Sequence, residues 1–314
     1  MKKISKIYKG ALRRIIKKSF LIWERLGFHI TLNHFYEPIP DTRTLKDKLW
    51  SKHSDMVGIE INEEGQINLL SQFLSKFREE YEDFPRFKTS VPYQYYIKNG
   101  GFESVDGEIL YCMIRHFKPK KIFEIGSGNS TYLSAQAVLK NKEEDGSECE
   151  LVAFEPYPNK VLKVGFPGLS KLIPSRIQDI ALSKFTELKK NDFLFIDSTH
   201  TLKIGSDVQY EYLEILPRLN EGVIVHIHDI FLPAEYPKVW VLKGHRFWTE
   251  QYLLQAFLSF NSMFEILWGG SYMHLRYPEK LEKAFNSYNR TLVWPGSFWM
   301  RKYEKVRTCG LKSL

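Results

Sequence analysis

The chain has 314 residues, of which 43% are hydrophobic, 15% aromatic and 26% charged, the composition of a soluble globular protein. Its three cysteines are scattered, so they predict neither a metal-binding pair nor a disulfide framework and indicate a reducing cytoplasm. Residues 1–20 contain eight Lys or Arg and no acid, which accounts for the whole net charge of +8. The rest of the chain is neutral, which argues against a broad nucleic-acid surface.

The basic N-terminal segment has the spacing of an amphipathic helix. Its apolar residues recur three and four positions apart between the basic ones: Ile4, Ile7, Tyr8, Ala11, Leu12, Ile15, Ile16 and Ile22. Such a helix either lies on an anionic membrane surface or packs on its own domain with a solvated basic face. Neither a signal peptide nor a membrane span is predicted, because Glu24 and Arg25 end the apolar run. We expect a cytoplasmic protein. Peripheral contact with the inner face of the membrane, through residues 1–20, is one of the two alternatives.

The next segment predicts an extended and helical region before the main domain. Closely spaced prolines within residues 27–45 favour an extended arm. Apolar residues at helical spacing predict a helix over residues 66–81, and another is predicted from Ser104 or Asp106 to about Phe117.

From residue 121 onward, apolar strands alternate with helices, which is typical of a parallel α/β sheet. A helix from Asp207 to about Leu219 is predicted between the fourth and fifth strands, and another over residues 250–260. The stretch 141–150 is predicted to be a polar surface insertion. The predicted strands are 122–124, 151–154, 172–177, 192–197, 222–229, 264–268 (with a possible extension to 275) and 297–303.

The turn after the first strand reads E-I-G-S-G over residues 124–128. Two glycines one residue apart let the backbone turn tightly and approach a ligand closely, and Ser130 and Thr131 can cap the next helix. No third glycine follows, so the dinucleotide-binding fingerprint is incomplete. Glu124 disfavours a pyrophosphate next to the turn and favours a positively charged ligand.

This turn resembles the first motif, E/D-x-G-x-G, of class I S-adenosylmethionine-dependent methyltransferases, in which the loop packs on the methionine part of the cofactor. The resemblance implies a Rossmann-like sheet of seven strands, five of them parallel and followed by a hairpin with one antiparallel strand. Glu155 ends the second strand, where a carboxylate can bind both ribose hydroxyls. Gln178 and Asp179 end the predicted third strand, near the adenine in this family. The predicted cofactor-binding residues are Glu124, Gly126, Ser127, Gly128, Asn129, Ser130, Glu155, Gln178, Asp179 and Asp197.

Polar side chains also follow the fourth and fifth strands. Asp197 and His200 follow the fourth strand, and His228 and Asp229 end the fifth, so we expect them to meet at one sheet edge. Period-two geometry places His226 and His228 on one face and directs Asp229 to the other. One role for His200 or His228 is that of a general base, which removes the proton of an acceptor hydroxyl. In the alternative role, Asp197, Asp229 and a histidine hold a divalent cation.

The same cluster resembles metal-dependent sugar and catechol O-methyltransferases. There, an Asp after the fourth strand and an acidic pair after the fifth hold the metal, and in the macrolide-sugar enzymes a His three residues after the first Asp is the base. Asp197 and His200 match that spacing, whereas His228 replaces the first acid of the pair. The resemblance implies His200 as base and Asp197 and Asp229 as metal ligands, with His228 in the place of the missing acid. This departure argues against magnesium and leaves room for a softer metal, or for none. His228 is also the second candidate for the catalytic base.

Longer stretches carry a closer resemblance. They read F-I-D-S-T-H over 195–200, G-S-D over 205–207, H-I-H-D-I-F-L-P over 226–233, Y-E-P over 36–38 and W-T-E-Q-Y over 248–252. Together they resemble methyltransferase family 24, over roughly residues 35–305. Asp207 is expected to cap a helix and is a second candidate ligand.

We therefore predict a class I O-methyltransferase that acts on a hydroxyl of a sugar, a glycan precursor or another small molecule, without a nucleic-acid partner. Its parts are a basic amphipathic helix (1–30), a cap (31–103) and the S-adenosylmethionine-binding domain (104–314). A nicotinamide-dependent oxidoreductase is disfavoured by the missing third glycine and by Glu124. A non-catalytic membrane-surface protein would not need histidines and aspartates at two strand ends. A metallohydrolase would leave the glycine turn unexplained.

Overall fold

The computed structural model describes residues 15, 16 and 18–303. These residues form two compact units. The first combines the described part of residues 1–51 with Lys238–Phe247, and the second combines Lys52–Pro237 with the described part of residues 248–314. Every predicted site residue belongs to the second unit. The domain boundaries predicted after residues 30 and 103 stay predictions.

Within the described residues, the second unit contains a seven-stranded sheet. Its strands are β1 (Lys121–Ile125), β2 (Glu150–Phe154), β3 (Lys171–Ile173), β4 (Phe193–Ile196), β5 (Ile224–Ile227), β6 (Phe264–Gly269) and β7 (Phe298–Lys302). They lie in the order β3-β2-β1-β4-β5-β7-β6. The first five strands pair in parallel, and β7 is antiparallel to both of its neighbours. The predicted sheet of five parallel strands with a terminal hairpin is confirmed.

The strand order reverses between β1 and β4, and a crevice therefore opens at their carboxyl ends, where ligands bind in sheets of this kind. Helices cover both faces of the sheet. The helices of the described residues are α1 (Phe20–Arg25), α2 (Lys48–Ser51), α3 (Glu63–Glu82), α4 (Asp106–Phe117), α5 (Asn129–Asp145), α6 (Lys160–Val164), α7 (Asp207–Tyr210), α8 (Leu216–Arg218), α9 (Lys238–Leu242), α10 (Glu250–Leu258), α11 (Gly270–Arg276) and α12 (Pro278–Ala284), with a π-helical segment (Glu211–Ile215) between α7 and α8 and 3-10 turns at Thr42–Thr44, Ile177–Asp179 and Leu182–Glu187.

The central strands β1, β4 and β5 are mostly apolar and are buried along nearly their whole length, because both faces of the sheet are covered. Alternate residues along each strand enter two separate cores. In β1, Ile122 packs in the same core as Ile109 of α4 and Leu133 of α5. Phe123 enters the opposite core, which contains Leu254 of α10 and Leu216 of α8. Packing in these two cores fixes the position of each strand along the sheet, and it therefore determines which residues lie at the crevice.

Two predicted segments were wrong, and a third was right only in part. Strand β3 ends at Ile173, because Pro174 has no amide to continue the ladder, and the residues expected to end that strand form a 3-10 turn instead. The stretch 141–150 is polar and mostly exposed, as predicted, but it begins inside a helix, since α5 continues to Asp145. Asn141 is buried and donates to the Ile114 carbonyl oxygen over 3.0 Å. Strand β6 does not extend to residue 275, where α11 has already begun.

The first unit holds only short described helices, α1, α2 and α9. Most of the predicted basic helix of residues 1–20 lies outside the described residues, so that prediction is untested. None of the helices in the described part of the chain is long and apolar enough to cross a bilayer.

Candidate active site

Backbone contacts hold the glycine turn against the end of β4. Gly126 has a φ of 77°, in the left-handed region, and a Cβ added there would overlap the carbonyl oxygen of Asp197. The Asp197 amide donates to the Ile125 oxygen over 2.9 Å, and the Gly126 amide donates to the Phe154 oxygen over 3.0 Å. Position 126 therefore requires glycine, and the turn is fixed directly to the backbone of Asp197.

Gly128 faces open space instead. A Cβ added there would meet no atom within 4 Å. The Ser127 amide donates to Oε2 of Glu155 over 3.3 Å, and the Ser127 hydroxyl is buried with no hydrogen-bond partner among the described residues. The turn thus leaves free space and one unpaired hydroxyl beside the carboxylate of Glu155.

Glu124 lies behind the turn and is fully buried. Its Oε1 accepts a hydrogen bond of 2.6 Å from the Ser130 hydroxyl, at the start of α5. Burial raises the pKa of Glu124 to about 8, although hydrogen bonds from Ser130 and Thr131 oppose the shift. Asn129 Nδ2 donates over 3.1 Å to Asn99, in the segment before α4. These contacts fix the N-terminus of α5 relative to the turn.

The remaining predicted cofactor residues lie at the outer strands. Glu155 directly follows β2, as predicted. Asp179 does not end a strand, and its exposed carboxylate accepts two hydrogen bonds from Arg176, at 3.0 and 3.1 Å. Gln178 Nε2 donates to the Gly205 carbonyl oxygen over 3.2 Å. The predicted adenine residues thus occupy a surface turn with partners of their own.

Three carboxylates surround the ring of His200, one next to Nδ1 and two next to Nε2. Its Nδ1 is 2.8 Å from Oε2 of Glu250, and its Nε2 is 3.3 Å from Oδ1 of Asp197 and 3.6 Å from Oδ2 of Asp229. Its ring centroid is 4.4 Å from that of Trp248. The side chain of His200 is 7% exposed, so these contacts form largely without water.

His228 repeats this arrangement from the neighbouring strand. Its Nδ1 is 3.4 Å from Oδ1 of Asp197 and 3.8 Å from Oδ1 of Asp229, and its Nε2 is 3.5 Å from Oδ2 of Asp106. Asp106 also accepts the amides of Gly296 and Ser297, each over 2.9 Å. The two histidines therefore face the same pair of aspartates, and each has a buried carboxylate behind it.

Burial and the neighbouring charges set the protonation of this cluster. Burial alone would raise the pKa of Asp197, but the charges of His228 and His200 outweigh it and hold that pKa well below its ordinary value. Burial alone would lower the pKa of His200, yet hydrogen bonds to Asp197 and Glu250 raise it to about 10. Burial raises the pKa of Asp229 and outweighs the two histidines.

His226 and Asp207 lie outside this cluster of contacts. His226 is on the face of His228, as predicted, but its ring stacks at 3.9 Å on Phe195 and its Nε2 is 3.1 Å from the Ser297 hydroxyl. Burial lowers the pKa of His226 well below its ordinary value, so it is neutral and structural. The carboxylate of Asp207 accepts the hydroxyl and the amide of Thr199, over 2.7 and 3.1 Å.

The donor atoms at the centre suit a divalent cation. Asp197, His200 and Asp229 each offer one ligand atom, and these atoms lie within 4.8 Å of one another. Two carboxylates and an imidazole form a mixed oxygen and nitrogen set, which suits manganese, iron or zinc better than magnesium. The predicted trio contains His228 in place of His200; it faces the same two carboxylates and stays a prediction.

Comparisons with known proteins identify the family of this chain. A family model described as a methyltransferase domain, that of methyltransferase family 24, matches residues 123–230. An uncharacterized protein of Archaeoglobus fulgidus is 32% identical over 168 residues, which cover 50% of this chain and 73% of the relative. The chain belongs to methyltransferase family 24. It is a class I S-adenosylmethionine-dependent methyltransferase, as its turn and sheet predicted.

The solved structures that resemble this methyltransferase have little sequence identity to it. The plantazolicin methyltransferase BamL, in complex with a triazolic desmethylPZN analog and S-adenosylhomocysteine, is 12% identical with a TM-score of 0.39, and the match covers 78% of this chain and 100% of BamL. An O-methyltransferase from Bacillus cereus in complex with S-adenosylhomocysteine is 14% identical with a TM-score of 0.37, covering 76% and 91%. CmcI with magnesium and S-adenosylmethionine is 14% identical with a TM-score of 0.35, covering 72% and 84%.

Two residues of this methyltransferase site escaped the sequence analysis. Glu250 and Asp106 lie outside the part of the chain that the family model matches, and each is the first residue of a helix. An acid at that position is ordinarily explained by the helix dipole. Their burial behind a histidine is the signal of a further role, and burial is not visible in the sequence.

Proposed function

We propose that this methyltransferase transfers the methyl group of S-adenosylmethionine to a hydroxyl of a sugar, a glycan precursor or another small molecule, with His200 as general base. The observation that carries the proposal is the 2.8 Å contact between His200 Nδ1 and the buried carboxylate of Glu250. It fixes the ring so that Nε2 is directed to the crevice between Asp197 and Asp229. A carboxylate behind an imidazole orients it and stabilises the imidazolium that forms when it takes a proton.

In this reaction the acceptor oxygen attacks the methyl carbon of the sulfonium. The carbon–oxygen bond forms as the carbon–sulfur bond breaks, and the electron pair of that bond stays on sulfur, which becomes neutral. The neutral form of His200 takes the proton of the hydroxyl on Nε2, and the charge of Glu250 stabilises the cation that results. Because hydrogen bonds to Asp197 and Glu250 raise the pKa of His200 to about 10, this neutral form is the minor one at pH 7, and methyl transfer should quicken as the pH rises toward that value. His228, oriented by Asp106, stands on the other side of the two aspartates.

The proposal assigns the cofactor to the turn at Gly126 and Gly128. The open space at Gly128 accommodates the methionine part, and the Ser127 hydroxyl and Glu155 are the polar groups next to it. Glu155 is the residue we assign to the ribose. Glu124 acts through Ser130 by holding the start of α5 in place. A role of Gln178 and Asp179 near the adenine stays a prediction.

We further propose that Asp197, Asp229 and one of the two histidines hold a divalent cation. The ligand atoms of Asp197, Asp229 and His200 lie within 4.8 Å of one another, and His228, which faces the same two carboxylates, is the ligand if His200 is the base. Bound there, a cation would neutralise the two aspartates and would lower the pKa of a coordinated hydroxyl. Because His200 faces the same carboxylates, the two histidines can exchange these roles, and the experiments must test each one separately.

The test combines cofactor binding with methyl transfer. Calorimetric titration should give micromolar binding of S-adenosylmethionine and S-adenosylhomocysteine and none of NADH. With labelled S-adenosylmethionine and a small-molecule extract, His200→Ala should lose about 10² to 10⁴ in methyl transfer while keeping its cofactor affinity. If affinity and transfer fall together, His200 contributes to binding and the assignment as base is wrong.

A further inference from the structure

The first unit carries an unusual concentration of exposed apolar side chains. In the 20-residue helix α3, six residues are buried and no large apolar side chain is exposed. In α1 none of the six residues is buried. The exposed apolar and aromatic residues of the segment 20–36 are Phe20, Leu21, Ile22, Leu26, Phe28, Ile30, Phe35 and Tyr36.

Two of these side chains share one face. Ile15 precedes α1, whereas Ile22 and Leu26 are four positions apart at the end of α1, which places these two on the same side. Ile15, Ile22 and Leu26 are 62%, 59% and 60% exposed. Single exposed apolar residues are normal on any protein, but neighbouring ones on one face of a helix mark an interaction surface.

Aromatic side chains extend the apolar character beyond the helix. Phe28 is 64% exposed, and Phe35 and Tyr36 are 82% and 84% exposed. The rings of Phe35 and Tyr36 lie 4.4 Å apart, and His34 stacks on Phe35 at 4.2 Å. Aromatic rings that pack on each other and remain open to solvent are suited to the interfacial layer of a bilayer, where their faces contact lipid and their polar atoms contact headgroups.

Charge distinguishes a membrane from a protein partner. The eight basic residues among positions 1–20 carry the whole net charge of the chain, and Lys18 and Arg25 lie among the exposed apolar residues. A protein surface matched to this segment would need a dense acidic patch next to an apolar one. An anionic bilayer offers both over an unlimited area, and basic residues next to exposed apolar ones are typical of helices that lie in the bilayer surface.

We propose that the described residues 18–36 form a surface that binds anionic membranes. Leu21, Ile22 and Leu26 enter the acyl boundary, and Lys18 and Arg25 contact lipid phosphates. The methyl transfer site belongs to the other unit, so this surface is a separate function of the chain.

The test is sedimentation of the full chain with vesicles of phosphatidylcholine and phosphatidylglycerol at 3:1, and with vesicles of phosphatidylcholine alone. Binding should require the anionic lipid and should weaken from 0.1 to 1 M salt, because the Debye length falls from about 10 to about 3 Å. The double substitution Leu21→Glu and Ile22→Glu should lower the vesicle affinity at least about tenfold, because it removes the apolar insertion.

The matched control is Leu292→Glu, which replaces an 84% exposed leucine of the second unit. It should bind vesicles like the wild type, and unchanged affinity for S-adenosylhomocysteine verifies the fold of each variant. Equal binding by the double variant, or equal binding to neutral vesicles, overturns the proposal. If the wild type self-associates without lipid and the double variant does not, the surface joins copies of this chain, and the membrane assignment is wrong.

Discussion

Nδ1 of His200 lies 2.8 Å from the buried carboxylate of Glu250, a residue 50 positions further along the chain. His228 has a similar partner in Asp106, and both histidines direct their other nitrogen to Asp197. Two carboxylate–histidine pairs therefore meet at one aspartate. Each pair fixes one ring, and replacement of the carboxylate behind each ring separates the roles of the two histidines.

The first prediction concerns the carboxylates behind the histidines. Glu250→Gln keeps the size of the side chain but removes the charge that stabilises the imidazolium of His200, so turnover should fall about 10²-fold with unchanged cofactor affinity. Asp106→Asn should have a smaller effect on turnover, after correction for any loss of folded protein measured by thermal unfolding. A larger effect of Asp106→Asn would identify His228 as the base.

The second prediction concerns cation binding, measured directly. After chelation, titration with Mn²⁺ should show one site, and Asp197→Asn and Asp229→Asn should each weaken it at least about tenfold. His228→Ala should also weaken Mn²⁺ binding, whereas His200→Ala should leave it nearly unchanged. The opposite result would make His200 the ligand and His228 the base. Absence of Mn²⁺ binding to the wild type would remove the metal from the proposal.

The third prediction compares the two glycines of the turn. Gly126→Ala puts a Cβ onto the Asp197 carbonyl oxygen at a φ of 77°, so it should lower the free energy of unfolding by about 2–4 kcal/mol. Gly128→Ala adds a methyl group to open space and should leave the melting temperature within a few degrees of the wild type. It should nevertheless weaken S-adenosylhomocysteine binding measured by calorimetry. Normal binding by Gly128→Ala would place the cofactor elsewhere.

The fourth prediction concerns stability against pH. Glu108 is buried, its Oε1 accepts the Ser287 hydroxyl, and burial raises its pKa to about 7. In the unfolded chain this carboxyl loses its proton near pH 4.5, whereas in the folded protein it keeps the proton up to about pH 7. The stability that the bound proton contributes is therefore complete below about pH 4.5 and is lost as the pH rises through about 7. Glu108→Gln imitates the protonated form at every pH, so the variant should not lose stability as the pH rises.

Urea unfolding at pH 5 and pH 8 measures the effect. Glu108→Gln should match the wild type at pH 5 and exceed its stability by about 2–3 kcal/mol at pH 8, since each unit of pKa shift corresponds to about 1.4 kcal/mol. Glu64→Gln changes an exposed side chain and should match the wild type at both values. If Glu108→Gln shifts stability equally at the two pH values, titration of Glu108 is not the cause.

The alternation of strands and helices was sufficient to predict the sheet, because its central strands are mostly apolar and buried and are separated by turns and helices. The same pattern brought Asp197, His200, His228 and Asp229 to one edge, since parallel strands end together. It did not predict Asp106 and Glu250, which reach the site by the packing of helices far apart in sequence. The apolar pattern also failed to show that β3 stops before Asp179, because Pro174 interrupts the ladder within an otherwise strand-like run.

Asp197 performs two tasks with different parts of the same residue. Its backbone is locked to the glycine turn, whereas its carboxylate belongs to the histidine cluster. A substitution of the side chain alone therefore leaves the backbone contact unchanged. We expect Asp197→Asn to retain the cofactor and to hold its acceptor without methylating it. This inactive variant can therefore be used to capture the acceptor from a small-molecule extract. Mass spectrometry then identifies the compound that remains bound.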